Sequence, residues 1–396
     1  MTAAFAFRTA ARVVFGRGSR DALAAEASRF GRRVMLVTGG RSLAAHGELD
    51  RLRDRFESAG LQVAPWAVRG EPEVAMIDAG AAIAIAFDAQ VVVAVGGGSV
   101  IDAGKAIAAV ATNGGRAIEY LEDLPAGGGR GIATAPLPFV AAPTTAGTGS
   151  EVTRNAVLRV ADLGLKRSMR DDRMLAAVAI VDPDLAASAP PEVAVPAGLD
   201  ALTHLIEAYV SRGAQPTTDL LALAGARRAM AALGALGLDR ARAPAAVTAE
   251  PWDELALASL WGGMALANAG LGAVHGLAAP AGGSWSAPHG AVCGALLAPT
   301  IRANVEALRS RDADSPALAR YADLSRALVG EADPLRLVAA VDALRRRLGS
   351  KPLLHYGARA EDITRVVAAS RGGSMKSNPI ALTDAELEAI VRAGMT

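Results

Sequence analysis

The stretch QVVVAVGGGSVIDAGKA, residues 90–106, decides the fold class of this chain. Its first half is a continuous apolar run, which is typical of a strand buried on both faces of a sheet. Three glycines follow, and a helical pattern follows them, so the turn predicts a phosphate-binding loop at a helix N-terminus. Asp102 and Lys105 lie on the first turns of that helix and are our candidate catalytic residues. The pattern is neither GxGxxG nor the Walker sequence, so an ordinary tight turn stays an alternative.

The same plan of a strand followed by a loop occurs elsewhere in the first half of the chain. RVMLVTGG (33–40), LQVAPWAV (61–68) and PFVAAPTTAGTGSE (138–151) predict further strands, and residues 77–87 predict a helix. Continuous apolar strands separated by helices predict a parallel sheet covered on both faces. Ligands of such sheets bind at the carboxyl ends of the strands, which is where the glycine-rich loops occur.

The loop PTTAGTGSE (143–151) offers several hydroxyl groups around two glycines. They belong to Thr144, Thr145, Thr148 and Ser150. One small-residue loop is weak evidence for a ligand, but two loops at strand ends favour a dinucleotide cofactor.

A change of character after VDPDLAASAPPEVAVPAG (181–198) divides the chain. We interpret this proline-rich stretch as a connector, because strand-like runs nearly vanish beyond it and helical periodicity takes over. A chain of 396 residues also exceeds what one hydrophobic core usually organises. We therefore predict a Rossmann-like α/β dinucleotide-binding domain over residues 1–190 and an all-α metal-binding domain over residues 191–396.

The composition excludes several classes of protein. Lys and Arg number 41 against 40 Asp and Glu, a net charge of +1, so no basic field attracts nucleic acid or an anionic membrane. Hydrophobic residues make up 52% of the chain, which excludes global disorder. The one cysteine excludes a disulfide framework and a Cys-based zinc cluster. Since we find no targeting signal and no apolar run long enough to span a bilayer, we expect a cytoplasmic protein.

Four side chains form a candidate metal site. Asp200 and His204 are four residues apart in PAGLDALTHLIEAYV, so a helix presents both on one face. His275 and His289 have glycines and a proline between them, so the chain must turn to bring His289 back toward His275. One carboxylate and three imidazoles suit Fe²⁺, Zn²⁺ or Ni²⁺. The alternative is that these histidines are ordinary core residues.

The remaining candidates for chemistry are weaker. We interpret Cys293 as a small buried side chain rather than a nucleophile, because no charged partner is evident in the sequence. His46 and His355 lie in polar contexts that are typical of the surface.

Together these motifs resemble the iron-containing (group III) alcohol dehydrogenase family. The matching stretches are GGGSVIDAGKA, PTTAGTGSEVT, VDPDL, PAGLDALTHLIEAYVS and VHGLAAPAGGSWSAPHGAVCGALLAP. The resemblance implies the fold shared with dehydroquinate synthase: an α/β dinucleotide-binding domain, a helical domain and an active-site cleft between them, often in a homodimer. It also implies an NAD(P)-linked oxidoreductase acting on CH–OH groups, with metal-dependent hydride transfer between the nicotinamide and an alcohol, aldehyde or ketone.

The resemblance assigns the metal and catalytic residues. The metal ligands it implies are Asp200, His204, His275 and His289, with Fe²⁺ expected and Zn²⁺ or Ni²⁺ as alternatives. Asp102 matches a motif aspartate near the nicotinamide, for which a structural role is an alternative.

The resemblance also assigns residues that bind NAD or NADP. The glycine loop that holds the pyrophosphate matches Gly96, Gly97, Gly98 and Ser99. The second cofactor loop matches Thr144, Thr145 and Ser150. Lys166 matches a lysine that usually reaches the cofactor ribose.

Two departures from the family pattern concern the substrate. Ala279 stands where members commonly have the second histidine of an HxxxH motif that begins at His275, so the route of the proton stays open. Leu266 stands where a Phe often lines the pocket. Because both changes enlarge the pocket and make it less polar, we predict substrates bulkier than ethanol or lactaldehyde.

A third departure concerns the cofactor. The strand VMLVT ends in Gly39, Gly40 and Arg41, where many NAD-preferring members place an Asp that engages the ribose. The absence of that Asp, with Arg41 nearby, permits NADP as well as NAD. We include these three residues among the candidate cofactor-binding residues.

Three other functions are alternatives. The first is a non-redox lyase of the dehydroquinate synthase type, which retains its NAD. The second is a catalytically silent nucleotide-binding protein, which only Ala279 supports. The third is an enzyme like maleylacetate reductase, although we find no cluster of basic residues suited to a dicarboxylate.

Overall fold

The computed structural model describes residues 4–40, 43, 47–124, 127–238 and 249–396 of the chain. The chain forms two compact units. One unit is Arg8–Ala189, and the other is Pro190–Thr396 together with the N-terminal residues up to Phe7.

A six-stranded parallel sheet forms the centre of the first unit. Its strands are β1 Val13–Phe15, β2 Arg33–Gly39, β3 Gln62–Val68, β4 Val91–Gly96, β5 Phe139–Pro143 and β8 Val178–Val181, in the order β1-β8-β5-β4-β2-β3. All of its strand pairs are parallel. The central strands β4 and β5 are buried along their whole length, which explains their continuous apolar sequences. The predicted parallel sheet is confirmed.

Helices connect these strands. They are α1 Leu23–Ser28, α2 Glu48–Ser58, α3 Val74–Ala86, α4 Gly98–Asn113 and α5 Pro183–Ala187. Helix α4 follows β4 through the glycine loop and packs closely on the sheet at Gly104. A Cβ on Gly104 would lie 2.7 Å from Phe139 and 2.8 Å from Ala94, so a glycine is required for this close approach.

An antiparallel hairpin, which our sequence analysis did not predict, adds a second sheet to this unit. It pairs β6 Asn155–Val160 with β7 Leu165–Arg170. The sequence NAVLRV does alternate, with Ala156, Leu158 and Val160 buried, as a half-buried strand should. The turn between the strands ends at Gly164 with a φ of +61°, a conformation that favours glycine.

The second unit contains helices and no strand among its described residues, as predicted. Its helices are α6 Pro191–Val210, α7 Pro216–Leu238, α8 Glu250–Ala269, α9 Ala273–Ser284, α10 His289–Arg311, α11 Pro316–Val329, α12 Pro334–Arg347, α13 Ile363–Ala369 and α14 Asp384–Gly394. The interpretation of residues 181–198 as a connector needs correction, because α5 and the start of α6 lie within it. Pro191 occupies the first turn of α6, and Pro196 lies inside the helix.

One helix in the described part of the chain, α10, is long and apolar enough to cross a membrane by length and composition. Helices α8 and α9 pass the same test only as a pair that bends by 101°. In α10, 78% of the most apolar window is buried inside the structure. Because buried core helices pass this test, it is weak evidence for a membrane span.

Candidate metal centre and cofactor loops

The structure brings the four predicted metal ligands together around one carboxylate oxygen. Asp200 Oδ1 lies 3.3 Å from His275 Nε2, 3.7 Å from His289 Nε2 and 3.9 Å from His204 Nε2. Asp200, His204 and His275 are buried, whereas the His289 side chain is 43% exposed. The cluster is therefore enclosed on the side of the helices α6 and α9 and reaches solvent at His289.

Close helix packing explains why residues far apart in sequence meet here. Asp200 and His204 lie one turn apart on α6, and His289 begins α10. Helix α10 approaches α6 at two glycines: a Cβ on Gly290 would lie 2.1 Å from the carbonyl oxygen of Pro196, and one on Gly294 would lie 2.7 Å from Leu199. These glycines allow the contact that carries His289 to Asp200.

Glu207, which our sequence analysis missed, fixes the orientation of His275. Its Oε2 lies 2.6 Å from His275 Nδ1, and its Oε1 accepts a hydrogen bond of 2.7 Å from Val274 N at the start of α9. The Glu207 carboxylate therefore accepts a hydrogen bond from the proton of His275 Nδ1, which leaves Nε2 available to bind an ion beside Asp200. The signal was present in the sequence, since Glu207 follows Asp200 and His204 on the same face of α6.

Cys293 also lies in the cluster. The thiol is buried, as predicted, but its Sγ lies 3.7 Å from His275 Nε2 and 3.6 Å from His289 Nε2. These two imidazoles are partners that were not evident in the sequence. The spacing of four residues from His289 along α10 was the available signal. Burial raises the pKa of the Cys293 thiol to about 12.

The donor set fits a divalent transition metal ion. Donor atoms of Asp200, His275, His289 and Cys293 all lie within 4.8 Å of one another. Burial opposes the ionisation of Asp200, but the neighbouring imidazoles hold the pKa of that carboxyl well below its usual range. A carboxylate oxygen and imidazole nitrogens converging at these distances are the ligand types that Fe²⁺, Zn²⁺ and Ni²⁺ share.

The two predicted cofactor loops lie side by side in the first unit. Thr144 N donates a 2.9 Å hydrogen bond to the carbonyl oxygen of Gly96, and a Cβ on Gly98 would lie 2.7 Å from Thr148. Gly97 caps α4, so the first N–H groups of that helix, including that of Ser99, face the end of the strand. Glycine backbone at a helix N-terminus fits a diphosphate.

Lys105 and Asp102 lie beneath the second loop. The Lys105 ammonium is buried and donates 3.0 Å hydrogen bonds to the Ser150 carbonyl oxygen and to Thr153 Oγ1. It lies 3.2 Å from Asp102 Oδ1. Asp102 also accepts hydrogen bonds from Ser150 Oγ and, at 2.9 Å, from Val157 N. This network ties α4 to the second loop and to strand β6.

A second ionisable group, Glu151, is buried next to this network. Burial raises its pKa to about 7, against the opposing charge of Lys105. Burial also lowers the pKa of Lys105, and the charge of Asp102 opposes that shift. Our sequence analysis quoted Glu151 as part of the loop motif but assigned it no role.

The structure describes some of the other predicted cofactor-binding residues. Lys166 lies on β7 and forms an ion pair with Glu71. Gly39 ends β2, and a Cβ on Gly40 would lie 3.3 Å from Cγ of Arg69. Arg41 lies outside the described residues, as does His46. Arg69 thus provides a second cation beside the end of β2, which the sequence analysis missed.

The residues that depart from the family pattern lie on α8 and α9. Ala279 is exposed and Leu266 is half-buried. His355 is exposed, in agreement with its interpretation as a surface residue.

These features define a class of protein: one with a parallel sheet that carries two cofactor-type loops and a helical unit that carries a candidate metal centre. Two family models cover nearly the whole chain. The model described as iron-containing alcohol dehydrogenase matches residues 10–183, and that of the C-terminal part of the Fe-containing alcohol dehydrogenase family matches residues 194–395.

Similarities to individual proteins point to the same family as the family models. The chain is 33% identical over 405 residues to long-chain-alcohol dehydrogenase 1 of Geobacillus thermodenitrificans, covering 97% of this chain and 96% of that protein. It is 32% identical over 369 residues to lactaldehyde reductase of Escherichia coli K12, covering 90% of each. The crystal structure of a 1,3-propanediol oxidoreductase superposes with a TM-score of 0.87 at 29% identity, covering 99% of this chain and 100% of that one.

The chain belongs to the iron-containing alcohol dehydrogenase family. Members of this family use NAD(P) and a metal ion, and they are oxidoreductases acting on CH–OH groups. The predicted fold class and the predicted function, a metal-dependent alcohol dehydrogenase or aldehyde reductase, are confirmed.

Proposed function

We propose that this chain interconverts alcohols with aldehydes or ketones at a centre held by Asp200, His204, His275 and His289. The observation that carries the proposal is the convergence of three Nε2 atoms within 3.9 Å of one oxygen of Asp200. Three ring nitrogens and a carboxylate oxygen lie this close together when all of them share one ion, whereas histidines that only fill a core need not converge.

When bound, the divalent ion supplies a Lewis acid that polarises the substrate oxygen, and the nicotinamide accepts or donates the hydride. The chain holds and orients these groups. Asp200 offsets part of the charge of the ion, and Glu207 keeps the lone pair of His275 directed into the centre. Oxidation of an alcohol also releases one proton. The methyl group of Ala279 cannot carry it, so we expect a water chain or the cofactor ribose hydroxyls to do so.

For the cofactor, we propose that the backbone of Gly96, Gly97, Gly98 and Ser99 binds the pyrophosphate. The adjacent loop contributes Thr144, Thr145 and Ser150. The part of the cofactor site that contacts the ribose consists of Lys166, Gly39, Gly40 and Arg41. The catalytic role of Asp102 and Lys105 stays a prediction. Their hydrogen bonds to the second loop favour a positioning role for Lys105.

Ala279 and Leu266, which replace the His and the Phe common in the family, support a substrate bulkier than ethanol or lactaldehyde. The similarity to a long-chain-alcohol dehydrogenase agrees with this proposal. The balanced net charge of +1 supports a small-molecule substrate, with no nucleic-acid or membrane partner. We further propose that the protein is a cytoplasmic homodimer.

Metal analysis combined with turnover tests this function. We expect one divalent ion per chain and a lasting absorbance change of the reduced cofactor across a panel of aldehydes of graded size, measured with NADH and with NADPH. Turnover that increases with aldehyde size supports the enlarged pocket. A protein that binds no stoichiometric ion and reduces no aldehyde would refute the proposal.

A further inference from the structure

The first turn of α9, which carries His275, has no cap from its own N-cap residue. Helix α9 begins at Ala273, and the residue before it is Gly272, which has no side chain to offer. The first four N–H groups of a helix, counted from the N-cap, have no carbonyl partner within that helix. Hydrogen-bond acceptors for Ala273, Val274 and His275 must therefore come from outside α9.

Two residues that are distant in sequence supply these acceptors. Asn378 Oδ1 accepts a 3.0 Å hydrogen bond from Ala273 N, which is 105 residues away along the chain. Glu207 Oε1 accepts one of 2.7 Å from Val274 N, and Glu207 Oε2 accepts a longer one of 3.4 Å from His275 N. The orientation of this helical turn is thus set by tertiary contacts.

The amide of Asn378 is itself held firmly in place. The residue is 3% exposed. Its Oδ1 accepts a second hydrogen bond, of 3.2 Å, from Asn304 Nδ2, and its Nδ2 donates bonds of 2.8 Å to Asn304 Oδ1 and to the carbonyl oxygen of Ile380. Two acceptor and two donor positions are all that an amide has. Since Asn304 lies on α10, the fully bonded amide joins the first turn of α9 to that helix.

Gly272 provides the space for this arrangement. A Cβ on Gly272 would lie 2.7 Å from Glu207 Oε1 and 2.8 Å from Asn378 Oδ1. A side chain at position 272 would therefore displace one of the two acceptors. The start of α9 thus depends on both buried acceptors in place of a local N-cap side chain.

We propose that Asn378 is a positioning residue for the metal centre, since it holds the first turn of α9 and thereby places His275 beside Asp200. His275 follows Ala273 by two residues in the same turn, and its Nε2 lies 3.3 Å from Asp200 Oδ1. Glu207 acts on the ring of His275 through Nδ1, whereas Asn378 acts on the backbone that carries the ring. The inference rests on the proposed metal centre.

The affinity of the full-length protein for Zn²⁺, measured by competition with a chromophoric chelator, tests this role. Asn378→Ala should lower that affinity by about 10–100-fold, as the loss of an outer partner of a metal ligand does. The matched control is Thr383→Ala, which removes the cap of α14, where Thr383 Oγ1 accepts a hydrogen bond from Glu386 N. Both variants should unfold at a lower urea concentration because each loses a helix cap. Only Asn378→Ala should bind zinc more weakly.

A second variant keeps the test decisive if Asn378→Ala does not fold. Asn304→Ala leaves Asn378 in the chain but removes its reciprocal partner, so zinc affinity should fall in the same direction by a smaller factor. Wild-type zinc affinity in Asn304→Ala and in any folded Asn378→Ala overturns this inference and leaves the proposed function intact. An equal loss of affinity in Thr383→Ala also overturns it, because lower stability alone would then be the cause. A wild-type protein that binds no zinc overturns both the inference and the proposed function.

Discussion

The proposed metal centre and the proposed cofactor loops present different parts of the chain to their ligands. The proposed metal centre consists of side chains from α6, α9 and α10, and its candidate ligands are spread from Asp200 to His289. The cofactor loops consist mainly of backbone and small side chains that follow the adjacent parallel strands β4 and β5. Changes in single side chains should therefore act directly at the metal centre, whereas at the loops they should act through the network that holds the backbone.

The buried charges differ in the same way. At the metal centre, Asp200 faces three imidazoles that converge on it. Beneath the loops, Lys105 donates to the Ser150 carbonyl oxygen and to Thr153 Oγ1, and Glu151 is buried nearby. The donor atoms around Asp200 converge on a position that an ion can occupy. The ammonium of Lys105 is instead satisfied by hydrogen bonds to the protein itself. Four predictions test whether the two regions are as separate in function as this difference implies.

The largest expected effect is the loss of turnover in His275→Ala. Removal of a ligand should lower kcat by more than about 10⁴-fold, which corresponds to over 5 kcal/mol. Cofactor binding, measured by calorimetry, should change little because the loops are intact. His355→Ala, which alters an exposed histidine, is the matched control. Normal turnover of His275→Ala without bound metal would contradict the proposed centre.

Lys105→Met should produce the opposite pattern. Loss of the ammonium leaves Asp102 and the carbonyl oxygen of Ser150 without their buried partner, which should cost about 3–5 kcal/mol of unfolding free energy. The cofactor dissociation constant should rise while the metal content stays at one. Lys351→Met, at an exposed lysine, should have no effect. A lower kcat with unchanged stability and cofactor affinity would instead support the catalytic role that we predicted for Lys105.

The pH dependence of stability should identify Glu151. Its pKa is about 7 in the folded protein against an ordinary value of 4.5, so between these pH values the folded carboxyl keeps a proton that the unfolded one has lost. The free energy of unfolding should therefore fall by about 3 kcal/mol as the pH rises through this window, and then level off. Glu151→Gln should remove that fall in denaturant titrations at pH 5 and 8. The exposed control Glu361→Gln should retain it.

The smallest of the four effects is expected for Glu207→Gln. Weaker orientation of His275 should lower the affinity for Zn²⁺ by about 10–100-fold, measured by competition with a chromophoric chelator. The exposed Glu306→Gln, on α10, should bind zinc as the wild type does. Unchanged affinity in Glu207→Gln would show that α9 and α6 orient His275 by packing alone.

Much of the α/β unit could be predicted because its signals are local. A buried parallel strand has a continuous apolar sequence, and its glycine loop follows directly, so residues 90–106 predict strand, loop and helix in one reading. The hairpin β6–β7 was missed because we looked for continuous apolar runs, whereas these strands are only half-buried and LKRSMR contains three basic residues. The first turns of α6, up to Pro196, were assigned to a connector because we gave prolines more weight as helix breakers than they had here.

The sequence by itself determined which residue types could hold the metal, since Asp200 and His204 lie one turn apart and histidines are scarce. Only the tertiary structure decided that His275, Glu207 and Cys293 meet them. Their contact depends on Gly290 and Gly294, which let α10 approach α6. It also depends on Glu207 of α6, whose carboxylate accepts a hydrogen bond from the start of α9. The helical period fixes neighbours four residues apart, whereas contact between helices depends on the shapes of all the side chains between them.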